Sequence, residues 1–123
     1  MTMYSPQVSD HISNPRNVGE LERPTGIGDV TNDVCLDRIR LSIDVRGDML
    51  VDAKVLAQGC PPTIAAASAL TELIIGKSVA ELESLDRKDL ASMLGRLPPA
   101  KTHCLVLALD ALRDALRASC ASR

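Results

Sequence analysis

Between Arg38 and Gln58 the chain alternates apolar and polar residues with a period of two, breaks once and resumes, a pattern that specifies a β-hairpin. Ile39, Leu41, Ile43 and Val45 alternate with Arg38, Arg40, Ser42 and Asp44, so one face of the first strand suits a core and the other suits water. Arg46-Gly47-Asp48 supplies the turn, and Val51, Ala53, Val55 and Ala57 alternate with Asp52, Lys54 and Gln58 on the way back. An Arg-Gly-Asp triplet can act as an adhesion ligand, but between two strands a turn accounts for it. Cys35 and Asp37 share the parity of the core-facing residues, so a strand reaching back that far would point thiol and carboxylate the same way.

The remaining segments read as helices and loops. Ser5 can cap a helix to Ser13, with Pro6 in its first turn, and Asn14-Pro15 ends it. Arg16 to Asp33, with three Gly, one Pro and several turn formers, reads as a long loop or an irregular edge strand. Pro61 and Pro62 open an Ala-rich helix that runs to Ile75 and stops at Gly76, which places Cys60 at a helix start. Gly76-Lys77-Ser78 is not the tail of a phosphate-binding loop, because Thr71 stands where the first Gly belongs and a helix precedes it. Short helices follow around Val79–Leu82 and Arg87–Leu94, the second capped by Asp86 with Asp89 three residues on. The last helix, from about Thr102 to Ala118, sets Leu105, Ala108, Leu109, Leu112 and Leu116 against Asp110, Arg113, Asp114 and Arg117. One Tyr, with no Phe or Trp, obliges the core to be built from Leu, Ile, Val and Ala. A length of 123 residues suits one domain, expected to span residues 1–123.

Charge and hydropathy exclude some roles. A net charge of −2 with mixed signs gives no basic stripe for a nucleic acid. No apolar run approaches the roughly 20 residues of a membrane span, and residues 1–10 lack the pattern of a signal peptide. A cytoplasmic protein is therefore expected, in which cysteines serve metal or thiol chemistry ahead of disulfides.

Three of the four cysteines carry that chemistry: Cys35 with Asp37 two positions on, Cys60 before Pro61-Pro62, and Cys104 directly after His103. Cys120, close to the end of the chain, reads as incidental. The spacing excludes a local zinc knuckle, so the fold must assemble the thiols. Taken singly, each cysteine is more simply a small buried hydrophobe, His103 a cap and Asp37 a solvated charge. Taken together, all three cysteines fall at element ends, where functional groups gather on a rigid scaffold. Cys60 and Cys104 at helix starts are expected to have depressed thiol pKa values. Three thiolates with Asp37 or His103 as a harder fourth ligand can hold Zn(II) or a 2Fe-2S cluster. One weak corner suits a carrier.

In these residues the chain resembles the IscU and NifU N-terminal family of iron-sulfur cluster scaffolds over nearly its whole length. The resemblance rests on Tyr4-Ser5, His11 with Asn14-Pro15-Arg16-Asn17-Val18-Gly19, Cys35 with Asp37, Gly59-Cys60 and the helix after it, and Leu97-Pro98-Pro99-Ala100-Lys101-Thr102-His103-Cys104. It implies an α+β, IscU/SufE-like fold: a small antiparallel sheet of about three strands with helices packed on one face. It implies a non-enzymatic scaffold, monomer or weak homodimer, that builds a transient 2Fe-2S cluster from iron and the sulfur of a cysteine desulfurase and hands it to apo iron-sulfur proteins. Zn(II) can take the same site in the apo or as-purified form. Asp37 is implied to keep the cluster labile. Leu97, Pro98, Pro99, Ala100 and Lys101 are implied to dock an Hsp70-type chaperone with its co-chaperone, and Tyr4 belongs to the partner-binding set.

The chain departs from the family pattern at three places. Leu36 stands where Gly is usual, which restricts the backbone beside Cys35. Pro61-Pro62 replaces a Gly-Ser pair and removes two amide donors near sulfur. Ala100 replaces Val in the chaperone motif. Two other readings stand beside the scaffold: a zinc-dependent sulfur acceptor that stimulates a desulfurase, and a zinc-stapled interaction domain. The sulfur acceptor carries an insertion between the second and third cysteines that is not evident here.

Overall fold

The structure is a computed structural model and describes residues 4–33, 36–95 and 102–122. Three strands, β1 (Gly26–Thr31), β2 (Arg38–Arg46) and β3 (Met49–Gln58), form an antiparallel sheet in the order β1-β2-β3. The expected hairpin is β2-β3. Its alternation breaks at one place, because Asp44 faces Asp52 while Val45 faces Leu50. The extra residue is a bulge that reverses the parity of the strand beyond it. Leu50 is therefore fully buried, and Val51, read from the sequence as core-facing, is 43% exposed.

β1 comes from the stretch that reads as a loop or edge strand, and an edge strand is what forms there. Its core face carries Gly26 and Gly28, aligned with Ile43 and Leu41 of β2. A Cβ on Gly28 would lie 2.0 Å from the Ala111 carbonyl oxygen, so the missing side chain is what lets a helix backbone lie directly on the strand. That helix is α5 (His103–Ser122), which covers β1 and β2, while α2 (Pro61–Ile74) covers β3. Both lie on the face that carries Ile39, Leu41 and Ile43, all fully buried. On the opposite face Ser42 is buried beneath the chain before β1, where the Leu21 N–H donates to its Oγ at 3.0 Å.

Three shorter helices complete the fold: α1 (Pro6–Ser13), α3 (Val79–Glu83) and α4 (Arg87–Leu94). Ser5 caps α1 by accepting the Val8 N–H at 3.1 Å, and its hydroxyl donates to the Leu94 carbonyl, tying α1 to α4. Reciprocal capping boxes start α3 at Ser78 with Glu81 and α4 at Asp86 with Asp89. His11 Nδ1 shares a 2.7 Å hydrogen bond with Ser68 Oγ, which also accepts the Arg16 N–H at 2.8 Å and so fastens α1 to α2. Among the described residues the buried apolar side chains are Leu, Ile, Val and Ala with Pro62 and Cys104, as the composition demands. Among the described residues no helix is long and apolar enough to cross a membrane.

Candidate metal centre

At the end of the β1-β2 hairpin the Asn32 N–H donates to the Asp37 carbonyl and the Leu36 N–H to the Asn32 carbonyl, each at 2.7 Å. Leu36 takes a left-handed backbone, φ 60, with its side chain 74% exposed. β2 therefore begins at Arg38, and Asp37 precedes the strand. Cys35 lies outside the described residues, as do Leu97, Pro98, Pro99, Ala100 and Lys101. Asp37 keeps the core-facing parity and is 3% exposed, so it is not a solvated charge at the strand end.

The start of α2 receives it. Cys60 is the N-cap residue and donates its N–H to Asp37 Oδ1 at 3.3 Å. Its thiol lies 3.5 Å from Oδ2, to which the Thr63 hydroxyl donates at 2.7 Å. Gly59 makes this approach possible: at φ 139, a Cβ there would sit 2.1 Å from Asp37 Oδ1. The first turn of α5 closes the other side. Cys104 Sγ lies 3.9 Å from Cys60 Sγ, and His103 Nε2 lies 3.7 Å from Asp37 Oδ2 and 3.8 Å from Cys104 Sγ. One ligand atom from each of Asp37, Cys60, His103 and Cys104 thus falls within 4.8 Å of every other. Donors at about 2.0–2.3 Å from a tetrahedral ion stand about 3.3–3.8 Å apart, so the contacts at 3.5–3.9 Å are already near that spacing and the widest pair would close by about 1 Å to make a coordination shell.

Burial of Asp37 disfavours its charge, yet hydrogen bonds from Thr63, the Cys60 thiol and the Cys60 amide, with His103 nearby, outweigh it and leave the carboxyl below its usual pKa. Cys104 goes the other way. Its thiol is fully buried, and burial, reinforced by Cys60 and Asp37 alongside, pushes it up to about 11 against a favourable hydrogen bond from Thr63. The expected lowering at the α5 start is therefore overturned. A helix terminus contributes a fraction of a charge, whereas loss of water around sulfur penalises the whole thiolate.

The structure thus gathers Asp37, Cys60, His103 and Cys104 at the junction of one strand and two helix starts. Tyr4 is half-buried and packs against the core. Cys120 is exposed near the C-terminal end of α5. Sequence reasoning passed over Thr63, whose fully buried hydroxyl lies 3.2 Å from Cys60 Sγ and 3.3 Å from Cys104 Sγ as well as against Asp37. Its signal was its spacing, because a polar residue three positions after a candidate ligand shares that ligand's helix face.

The chain is similar to known proteins over most of its length. Over 114 residues the chain is 44% identical to the iron-sulfur cluster assembly scaffold protein IscU 1 of Archaeoglobus fulgidus, covering 93% of this chain and 74% of that one. It is 40% identical over 116 residues to the scaffold protein IscU of Aquifex aeolicus, with the same coverage. Among solved structures, the NifU-like protein (N-terminal) of Brucella abortus has the same fold, with a TM-score of 0.80, 16% identity and coverage of 97% and 95%. The family model described as the NifU-like N terminal domain matches residues 3–121, and the chain belongs to that family.

Proposed function

We propose that this protein is a scaffold on which an iron-sulfur cluster is assembled and from which it passes to apo-proteins. The observation that carries the reading is the meeting of Asp37, Cys60, His103 and Cys104 within 4.8 Å, in a chain 44% identical to a protein named as such a scaffold. The cargo is a 2Fe-2S cluster, with Cys35, Cys60 and Cys104 as thiolate ligands and Asp37 as the harder fourth. His103 stands beside Asp37 as the alternative donor, and Zn(II) takes the same donors in the absence of cargo.

The chain's own contribution is to hold and shield. Burial around Cys104 and Asp37 keeps water from the centre, the Cys60 amide and Thr63 hydroxyl hold the carboxylate toward the sulfurs, and a hard oxygen donor leaves one corner easy to open. Cys104 carries its proton at neutral pH and must release it to become a ligand, so loading and proton release are coupled. Sulfur comes from a cysteine desulfurase in the cytoplasm. Leu97–Lys101 engages an Hsp70-type chaperone, and Tyr4 belongs to the partner-facing set.

Anaerobic reconstitution with ferrous iron, cysteine, a desulfurase and a thiol reductant, which supplies the electrons that take persulfide sulfur to sulfide, tests the proposal. The expected product has the visible spectrum of a 2Fe-2S centre, lost in each of Cys35→Ser, Cys60→Ser and Cys104→Ser. A spectrum that persists in all three variants would exclude the assigned ligands. Strong stimulation of desulfurase turnover by the zinc-loaded protein, with no cluster formed, would establish the sulfur-acceptor reading instead.

A further inference from the structure

Thr63 lies in the first turn of α2 with no exposed surface, in a helix otherwise filled at this end with Pro, Ile and Ala. Most helix starts offer free amide N–H groups in the first turn. Here Pro61 and Pro62 remove two of them, and the Thr63 N–H is turned to the Cys60 carbonyl at 2.9 Å. The hydroxyl of Thr63 takes over the missing donation. It touches three members of the centre at once: Asp37 Oδ2 at 2.7 Å, Cys60 Sγ at 3.2 Å and Cys104 Sγ at 3.3 Å. A hydroxyl has one proton to give, and of its possible acceptors the carboxylate oxygen is the closest, at 2.7 Å against 3.2 Å for Cys60 Sγ and 3.3 Å for Cys104 Sγ, and the charged one, so it is the favoured partner.

We infer that Thr63 is a positioning residue for the metal centre: its hydroxyl holds the Asp37 carboxylate turned toward the two sulfurs, and so sets how firmly the oxygen corner grips what binds there. The inference rests on the metal-centre reading above. Three hydrogen bonds reach the carboxylate: from the Cys60 amide to Oδ1 at 3.3 Å, from the Cys60 thiol to Oδ2 at 3.5 Å, which is lost when that sulfur becomes a ligand, and the shorter one from Thr63 to Oδ2. Without the shorter bond the carboxylate can rotate about its χ angles, and binding must then restore the orientation that the hydroxyl now supplies. Oδ2 still has a second lone pair for a metal ion while it accepts from Thr63.

The test uses the full chain and Co(II), whose thiolate charge-transfer and ligand-field bands report sulfur ligation and tetrahedral geometry directly. Thr63→Val keeps the shape and loses the hydroxyl, and should weaken Co(II) binding by about 10–100-fold, the range typical of groups that orient a ligand. Thr63→Ser, which keeps the hydroxyl, should bind close to the original protein. In an Asp37→Ala background Thr63→Val should have no further effect, because the residue it orients is gone. Unchanged or tighter binding by Thr63→Val, or an equal loss with and without Asp37, would overturn the inference. Failure of the original protein to develop a thiolate-to-cobalt band would instead bring down the metal-centre reading, and this inference with it.

Discussion

At Leu36 a branched, largely exposed side chain sits on a left-handed backbone, a conformation that costs an L-residue about 1–2 kcal/mol, with little packing among the described residues to offset it. Leu36→Gly should therefore stabilise the protein by about 1 kcal/mol after allowing for the greater chain entropy of glycine. Equilibrium denaturant unfolding reads this as a higher midpoint at unchanged slope, and a lower midpoint would mean that Leu36 makes contacts that matter. Gly59 is the opposite case, since its missing Cβ is the space that Asp37 Oδ1 occupies. Gly59→Ala should push the carboxylate out of the centre and weaken Zn(II) binding at least about tenfold, measured by competition with a chromophoric chelator. These residues also show what the sequence could and could not convey. Cys60, Cys104, Asp37 and His103 stood out because each has unusual chemistry at an element end. The titration of Cys104 did not, because the water it loses is displaced by side chains remote in sequence, which a helix-start argument does not count.

At the scale of elements, the hairpin and the long helices were legible because each repeats its pattern over many residues. β1 was less so. Where its neighbours place Leu41 and Ile43 it places Gly28 and Gly26, and the packing is supplied by the backbone of α5. The bulge at Asp44 and Val45 was hidden for a related reason, since Leu50 and Val51 are both apolar and only the partner strand decides which turns inward. The contact between β1 and α5 also bears on the candidate centre, as α5 carries His103 and Cys104 in its first turn. Gly28→Ala should destabilise the fold by about 1–3 kcal/mol through overpacking against a backbone that cannot rotate away. It should weaken Zn(II) binding in parallel, by shifting α5 relative to Cys60. Thermal unfolding and zinc competition on the same variant check both effects, and loss of stability with intact affinity would show that the centre tolerates movement of α5.

For the whole molecule, the attachment of α1 carries a pH dependence. His11 is 5% exposed, bonded to Ser68 through Nδ1, with Glu72 3.5 Å from Nε2 and with Arg16 and Asp10 nearby. Burial, with help from Arg16, lowers its pKa below the usual 6.5, against the opposing pull of Glu72 and Asp10. In the window between that lowered value and 6.5 the unfolded chain binds the proton first, so stability rises with pH there. The contribution is complete above 6.5 and declines on acidification. Urea unfolding across this window should show a weaker pH dependence in His11→Gln than in the original protein, and equal slopes would place the titration elsewhere.

The central claim is that one half-buried centre builds a cluster and gives it up, and it is tested most directly by following a single loaded sample through transfer. Protein loaded anaerobically by a desulfurase is mixed with an apo-ferredoxin, and the acceptor's spectrum is recorded with time beside the Asp37→Ala variant. The account predicts that the original protein loads and transfers, and that Asp37→Ala loads but transfers about tenfold or more slowly, because its labile oxygen corner is gone. Equal transfer rates, or loading that survives the joint removal of Cys60 and Cys104, would contradict it.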